Sequence, residues 1–156
     1  MKMLVTVMMS LSVLVMNEQY RGHQMTRREA SPGKSPTTVK LRITVADRTI
    51  AATLIESETS RDFLSLLPLT LTLRDYASTE KISDLPRRLS TKGAPAGVDP
   101  DIGDIAYYAP WGNLAIYYKD FGYSEGLIRL GMIDSGVEAL RRSGPIEVTI
   151  ERADQQ

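Results

Sequence analysis

The chain has 156 residues, 42% hydrophobic and 24% charged, with a formal net charge of zero. This is the composition of one soluble globular domain with a real core. Cysteine is absent and histidine occurs once, at His23, which excludes disulfides, thiol nucleophiles, thiolate metal sites and multi-histidine zinc sites.

Charge is unevenly spread. Residues 1–36 carry five basic residues (Lys2, Arg21, Arg27, Arg28, Lys34) and two acidic ones (Glu18, Glu29), so the remainder carries a net charge of −3. An acidic body lacks the clustered Lys and Arg that phosphate contacts need, and no nucleic-acid partner is expected.

Residues 4–16 (LVTVMMSLSVLVM) form an apolar run behind Lys2. It is short for a membrane span and has the length of a signal-peptide core. No Ala-x-Ala site follows, only Met16-Asn17-Glu18. The export reading places the domain outside the cytoplasm, in a periplasm; a misassigned start or an extra strand leaves it cytoplasmic. No integral membrane span is expected. Residues 17–36 read as a flexible linker, polar and broken by glycine and proline. Gly33-Lys34-Ser35 is not a phosphate loop, because Arg28 stands where that motif needs a glycine.

The domain is read over residues 37–152, with 153–156 a tail. Val39, Leu41, Ile43 and Val45 alternate with polar residues, as in a half-buried strand. Ala46-Asp47-Arg48 turns the chain and Thr49–Ile55 returns. A helix follows, capped by Thr59, with Asp62 in its first turn, Phe63, Leu64, Leu66 and Leu67 on one face, and Pro68 as its stop. Leu69, Leu71 and Leu73 alternate with Thr70, Thr72 and Arg74 in the next strand. Residues 76–104 read as a long loop with a short strand near Glu80–Ile82.

Ile105–Ala109 and Leu114–Tyr118 are the arms of a hairpin closed by Pro110-Trp111-Gly112-Asn113. Leu127–Ile133 is a further strand. Ser135-Gly136-Val137-Glu138 has the pattern of a capping box opening a short helix, and Ile146, Val148 and Ile150 alternate in a last strand. About seven short strands and two helices result. Antiparallel strands in this number hide their edges most easily by closing into a barrel.

Several phrases carry a family resemblance. They are Leu66-Leu67-Pro68-Leu69-Thr70-Leu71, Asp75-Tyr76 followed by Glu80-Lys81-Ile82, and Gly103-Asp104-Ile105-Ala106-Tyr107-Tyr108 running to Pro110-Trp111-Gly112-Asn113. Asp120-Phe121 and Gly126-Leu127-Ile128-Arg129-Leu130-Gly131 complete them. Over residues 37–152 the chain resembles a bacterial and archaeal family of cyclophilin-like domains. The resemblance implies a mainly β fold, a closed antiparallel cyclophilin-like barrel with two short capping helices. It does not imply cyclophilin chemistry, because the Phe-x-x-Met-x-Gln strand is missing and the domain has no histidine. No catalytic residue and no cofactor is carried over.

Seven of the ten aromatics lie between Tyr107 and Tyr123. In a strand, Tyr107 and Tyr108 must face opposite ways, as must Tyr117 and Tyr118. Such a cluster either holds the hairpin together or lines a groove. Trp111, at a hairpin tip, packs on the Asp75-Tyr76 loop or is offered to a partner. Asp99, Asp101 and Asp104 lack the further ligands of a calcium loop, and no metal site is expected. Asp120 and Glu125, beside Tyr123, could do acid–base work if buried. Arg87-Arg88 and Arg141-Arg142 read as solvated faces. The candidate ligand-binding set is Tyr107, Tyr108, Trp111, Asn113, Tyr118, Asp120 and Tyr123. The function expected is a non-enzymatic module binding a small apolar ligand or a peptide; the alternative is a divergent prolyl isomerase. The sequence leaves the oligomeric state open.

Overall fold

The computed structural model describes residues 38–153. The expectations for residues 1–16, for 17–36 and for the tail beyond Ala153 fall outside them.

Ten strands, one α-helix and one 3-10 helix follow in order. They are β1 Val39–Val45, β2 Arg48–Leu54, α1 Glu58–Leu64, β3 Leu69–Tyr76, β4 Glu80–Asp84, β5 Gly97–Val98, β6 Asp104–Tyr108, β7 Asn113–Tyr117, β8 Ser124–Glu125, β9 Leu127–Ile133, the 3-10 helix Val137–Arg141 and β10 Ile146–Arg152. Eight strands close into an antiparallel barrel in the order β1-β10-β3-β4-β7-β6-β9-β2. The two-residue strands β5 and β8 pair with each other as a separate ribbon, which period-two alternation is too short to reveal.

The period-two pattern decides what the barrel encloses. Leu41, Ile43 and Val45 point inward, and Ile43 lies between Ile50 and Ile150 in the paired strands. Leu69, Leu71 and Leu73 meet Ile150, Val148 and Ile146 in the same way. Burying one such side chain contributes about 1.5–3 kcal/mol, so these alternating rows dominate the stability. The polar partners face out: Thr70 and Thr149 share a hydroxyl hydrogen bond of 3.1 Å across the β3–β10 pair.

Closure needs one irregularity. The β6–β9 register shifts between Ile105 and Ala106, where Ile105 faces Gly131 and Ala106 faces Arg129. Leu130, the extra residue, buries its side chain in the core. Its carbonyl accepts from the Ile55 amide at 2.9 Å and the Ser60 hydroxyl at 3.1 Å, tying α1 to the wall. Gly131 is required there, since a Cβ would run into the Thr53 carbonyl of β2.

The helices differ from expectation. Ser57, not Thr59, caps α1, accepting from the Ser60 amide at 3.0 Å; Thr59 is buried within the first turn. The helix ends at Leu64, before the cis Leu67–Pro68 bond. Glycine at 136 takes a left-handed φ of 88° and no side chain caps the following turn, so the capping box does not form, and the expected short helix is of the 3-10 type. Asp62 does more than favour its helix terminus. It receives both guanidinium nitrogens of Arg87 at 2.6 and 3.0 Å and the Ser90 amide at 2.7 Å. These donors, Arg87 foremost, hold its carboxyl below the usual carboxylate range. Arg87 is therefore a staple between α1 and the loop after β4, not a merely solvated charge.

Candidate functional site

A second apolar layer lies outside the barrel. Ala106, Ala115, Tyr117 and Leu127 alternate with core residues on β6, β7 and β9, and Ile82, Val98 and Tyr108 pack against them. Val98 belongs to the β5–β8 ribbon. The outer wall thus has an apolar floor, over which the β6–β7 turn carries Trp111.

Local chemistry fixes that turn. Gly112 adopts a φ of 78° and its amide donates to the Tyr108 carbonyl at 2.8 Å. Arg88 donates to the carbonyls of Ala109 at 2.7 Å and Pro110 at 3.2 Å. Arg88 is thus the clamp of the hairpin, another correction to the solvated-face reading. The rigid turn places the Trp111 ring 5.2 Å from that of Tyr108 on β6 and 5.4 Å from that of Tyr76 on β3, edge-to-face with both. Strands β4 and β7 separate β3 from β6, a gap of about 14 Å at ordinary strand spacing. The indole therefore bridges across β4 and β7, on which Ile82 and Ala115 stand as a row in register. It remains 54% exposed.

Beside this row stands Asn113, the first residue of β7, in register with Tyr108 on one side and Asp84 on the other. It is 2% exposed, and its Oδ1 is the one buried side-chain polar atom among the described residues without a hydrogen-bond partner. An unpaired buried acceptor costs about 1–3 kcal/mol, so its retention calls for a reason.

Further along the same wall, Glu80 of β4 faces Tyr117 of β7. Burial raises the Glu80 carboxyl, partly offset by a hydrogen bond from Tyr117. Burial, and then the neighbouring Glu80, pushes the Tyr117 phenol far up, so it stays protonated as the donor. Phe121 covers Tyr117 with ring centres 6.1 Å apart.

The seven candidate residues do not form one surface. Tyr108, Trp111 and Asn113 come together. Tyr107 points into the barrel, where its hydroxyl accepts from the Leu89 amide at 3.1 Å. Tyr118 is buried and donates to Asp75 Oδ1 at 2.9 Å, a structural bond at the barrel end. Asp120 and Tyr123 are exposed on the link before β8, apart from the Trp111 ring contacts. Glu125, on β8, is exposed as well. The face gains Tyr76, Ile82, Glu80 and Tyr117. Tyr76 could be paired with Trp111 from sequence as one packing option. Glu80 could not be found, because only the cross-strand register puts it beside Tyr117.

The aspartate cluster has its own partner. Arg129 donates to Asp104 at 2.6 Å, to Asp101 at 3.0 Å and to the Asp99 carbonyl at 3.0 Å, so these residues form an ion-paired turn. Two concave regions lie elsewhere. One of about 530 Å³ is bounded by Ile55–Thr59, Gly93–Pro95 and Val98; one of about 300 Å³ lies between Val45–Arg48 and Glu138. Neither includes Trp111, Tyr108 or Asn113.

No curated protein matches the chain. Among solved structures, it is similar to the hypothetical protein AF2241 from Archaeoglobus fulgidus, with 21% identity and a TM-score of 0.57 over 78% of this chain and 99% of that one. It is also similar to McbB, whose structure was determined in complex with tryptophan, with 15% identity and a TM-score of 0.52 over 74% of this chain and 45% of that one. Likeness at this identity concerns the fold. The family model of the Cyclophilin-like family matches residues 43–151, and the chain belongs to that family.

Proposed function

We propose that this domain is a binding module whose working surface is the outer wall of β3, β4, β7 and β6. The observation that carries the reading is Trp111, held across two strands by a rigid turn and left more than half exposed. Exposing an indole forgoes apolar burial, and tryptophan with tyrosine is the composition of binding hot spots. Tyr76 and Tyr108 hold its orientation, so a ligand meets a prepared ring. Ile82 and Ala115 supply the apolar floor.

The isomerase alternative needs a guanidinium aimed at a prolyl nitrogen. The hairpin's Arg88 is turned instead to the Ala109 and Pro110 carbonyls, and binding without turnover is the better account. The test is thermal unfolding of the whole chain with blocked apolar peptides, followed by the fluorescence of Trp111, the single tryptophan. Binding should raise the melting temperature and perturb the emission. Trp111→Ala should still fold and lose the ligand-induced stabilisation. A Trp111→Ala chain that does not fold would mark the indole as structural and sink the reading.

A further inference from the structure

The aromatic face explains affinity for apolar groups but not the unpaired oxygen beside it. Asn113 Oδ1 is buried and unpartnered, and its strand neighbour Tyr108 is one of the two rings that hold Trp111. Leucine at the same position would fill similar space without an orphaned acceptor. Resting on the binding-module reading, we infer that the ligand is an extended peptide segment that delivers a backbone N–H to Asn113 Oδ1 while an adjacent apolar side chain packs on Trp111.

Three observations fix that class. The missing partner of an acceptor is a donor, so the ligand must bring an N–H or O–H to this point. Neither of the two concave regions described includes Trp111, which is 54% exposed. Small molecules are usually held in clefts that bury most of their surface, whereas a peptide gains its contacts along a wall. In an extended peptide a backbone N–H lies within one residue of a side chain, as Asn113 lies beside Tyr108, whose ring meets that of Trp111. Oδ1 is buried, so the donor reaches it only when the side chains over it move aside. The consequence is selectivity: a proline nitrogen carries no hydrogen and cannot satisfy Asn113, so the residue placed there is any but proline.

The experiment is an N-methyl scan. The blocked peptide Ac-Gly-Ala-Phe-Ala-Gly-NH2 is titrated into the full chain, with Trp111 emission as readout, beside versions in which each backbone N–H is methylated in turn. One methylated version, and the matching proline version, should bind about tenfold or more weakly, the worth of one hydrogen bond to a buried acceptor. In Asn113→Leu that discrimination should disappear; in Asn113→Asp, which keeps an acceptor, it should persist. If every methylated peptide binds like the parent, the donor inference is overturned and the aromatic face still stands. If benzamide binds as tightly as the peptide, the occupant is a small amide and not a peptide segment. If the parent peptide leaves Trp111 unperturbed, this inference and the binding reading fall together.

Discussion

Two buried polar groups on adjacent strands have opposite fates. Lys81 of β4 is fully buried, and its ammonium reaches Asp75 Oδ2 at 2.8 Å, the Arg142 carbonyl at 2.6 Å and the Gly144 carbonyl at 2.9 Å. Asp75 in turn accepts from the Tyr118 hydroxyl at 2.9 Å and the Gly144 amide at 3.0 Å. Three donors meet three acceptors, and the network sews the loop after the 3-10 helix to β3 and β4. Asn113 of β7 is buried as completely, yet its oxygen meets nothing. A satisfied buried polar group is architecture, because nothing remains for a ligand to supply. An unsatisfied one carries a standing cost that a ligand can remove.

Breaking the satisfied end should have the largest effect. Lys81→Met leaves Asp75 and two carbonyls without their cation, and unfolding by denaturant should show a loss of about 3 kcal/mol. Trp111→Ala removes two edge-to-face contacts but little fully buried area. Its cost should be about 1–2 kcal/mol by the same titration. Asn113→Leu should invert the sign, raising stability by about 1 kcal/mol, since it removes an unpaired acceptor at similar volume. A loss of stability in that variant would mean that the amide does structural work and would erase the contrast.

The smallest effect is in the pH dependence, where the two ends also diverge. The Asp75 carboxyl is held below its usual range, first by Lys81 and then by Tyr118. Its contribution is therefore present above the unfolded carboxylate pKa of about 3.9 and is lost as pH falls through the lower folded value. Burial raises the Glu80 carboxyl. Its contribution is present below the unfolded value of about 4.3 and is lost as pH rises through the higher folded value. Glu80→Gln should accordingly gain stability relative to the parent as the pH is raised from 4 toward neutrality. Thermal unfolding of both chains across that interval would reveal the slope, and parallel curves would show that Glu80 is not penalised by burial.

The barrel strands were legible because each buries one face, which imprints a period of two: Leu69, Leu71 and Leu73 against their threonines are the clearest case. The opposed directions of Tyr107 and Tyr108 followed from the same geometry, and the structure has one inside and one outside. The ribbon of Gly97–Val98 with Ser124–Glu125 was not legible, since two residues carry no period. The short helix at Val137 was legible, but its 3-10 form was not, because the left-handed Gly136 leaves it without the side-chain cap that the pattern suggests. Tyr107 and Tyr118 looked like site residues because aromatic type says nothing about which tyrosine finds a partner inside.

The sequence by itself determined the class of fold, the family and the turn that carries Trp111, since alternation, glycine φ and turn chemistry are local properties. Tertiary structure alone decided that Trp111 spans β4 and β7 between Tyr76 and Tyr108, that Glu80 meets Tyr117, that Lys81 is fully paired and that Asn113 is not. Each of these depends on which residues are brought opposite one another by pairing between strands distant in the chain, and that register has no counterpart in any local stretch of sequence.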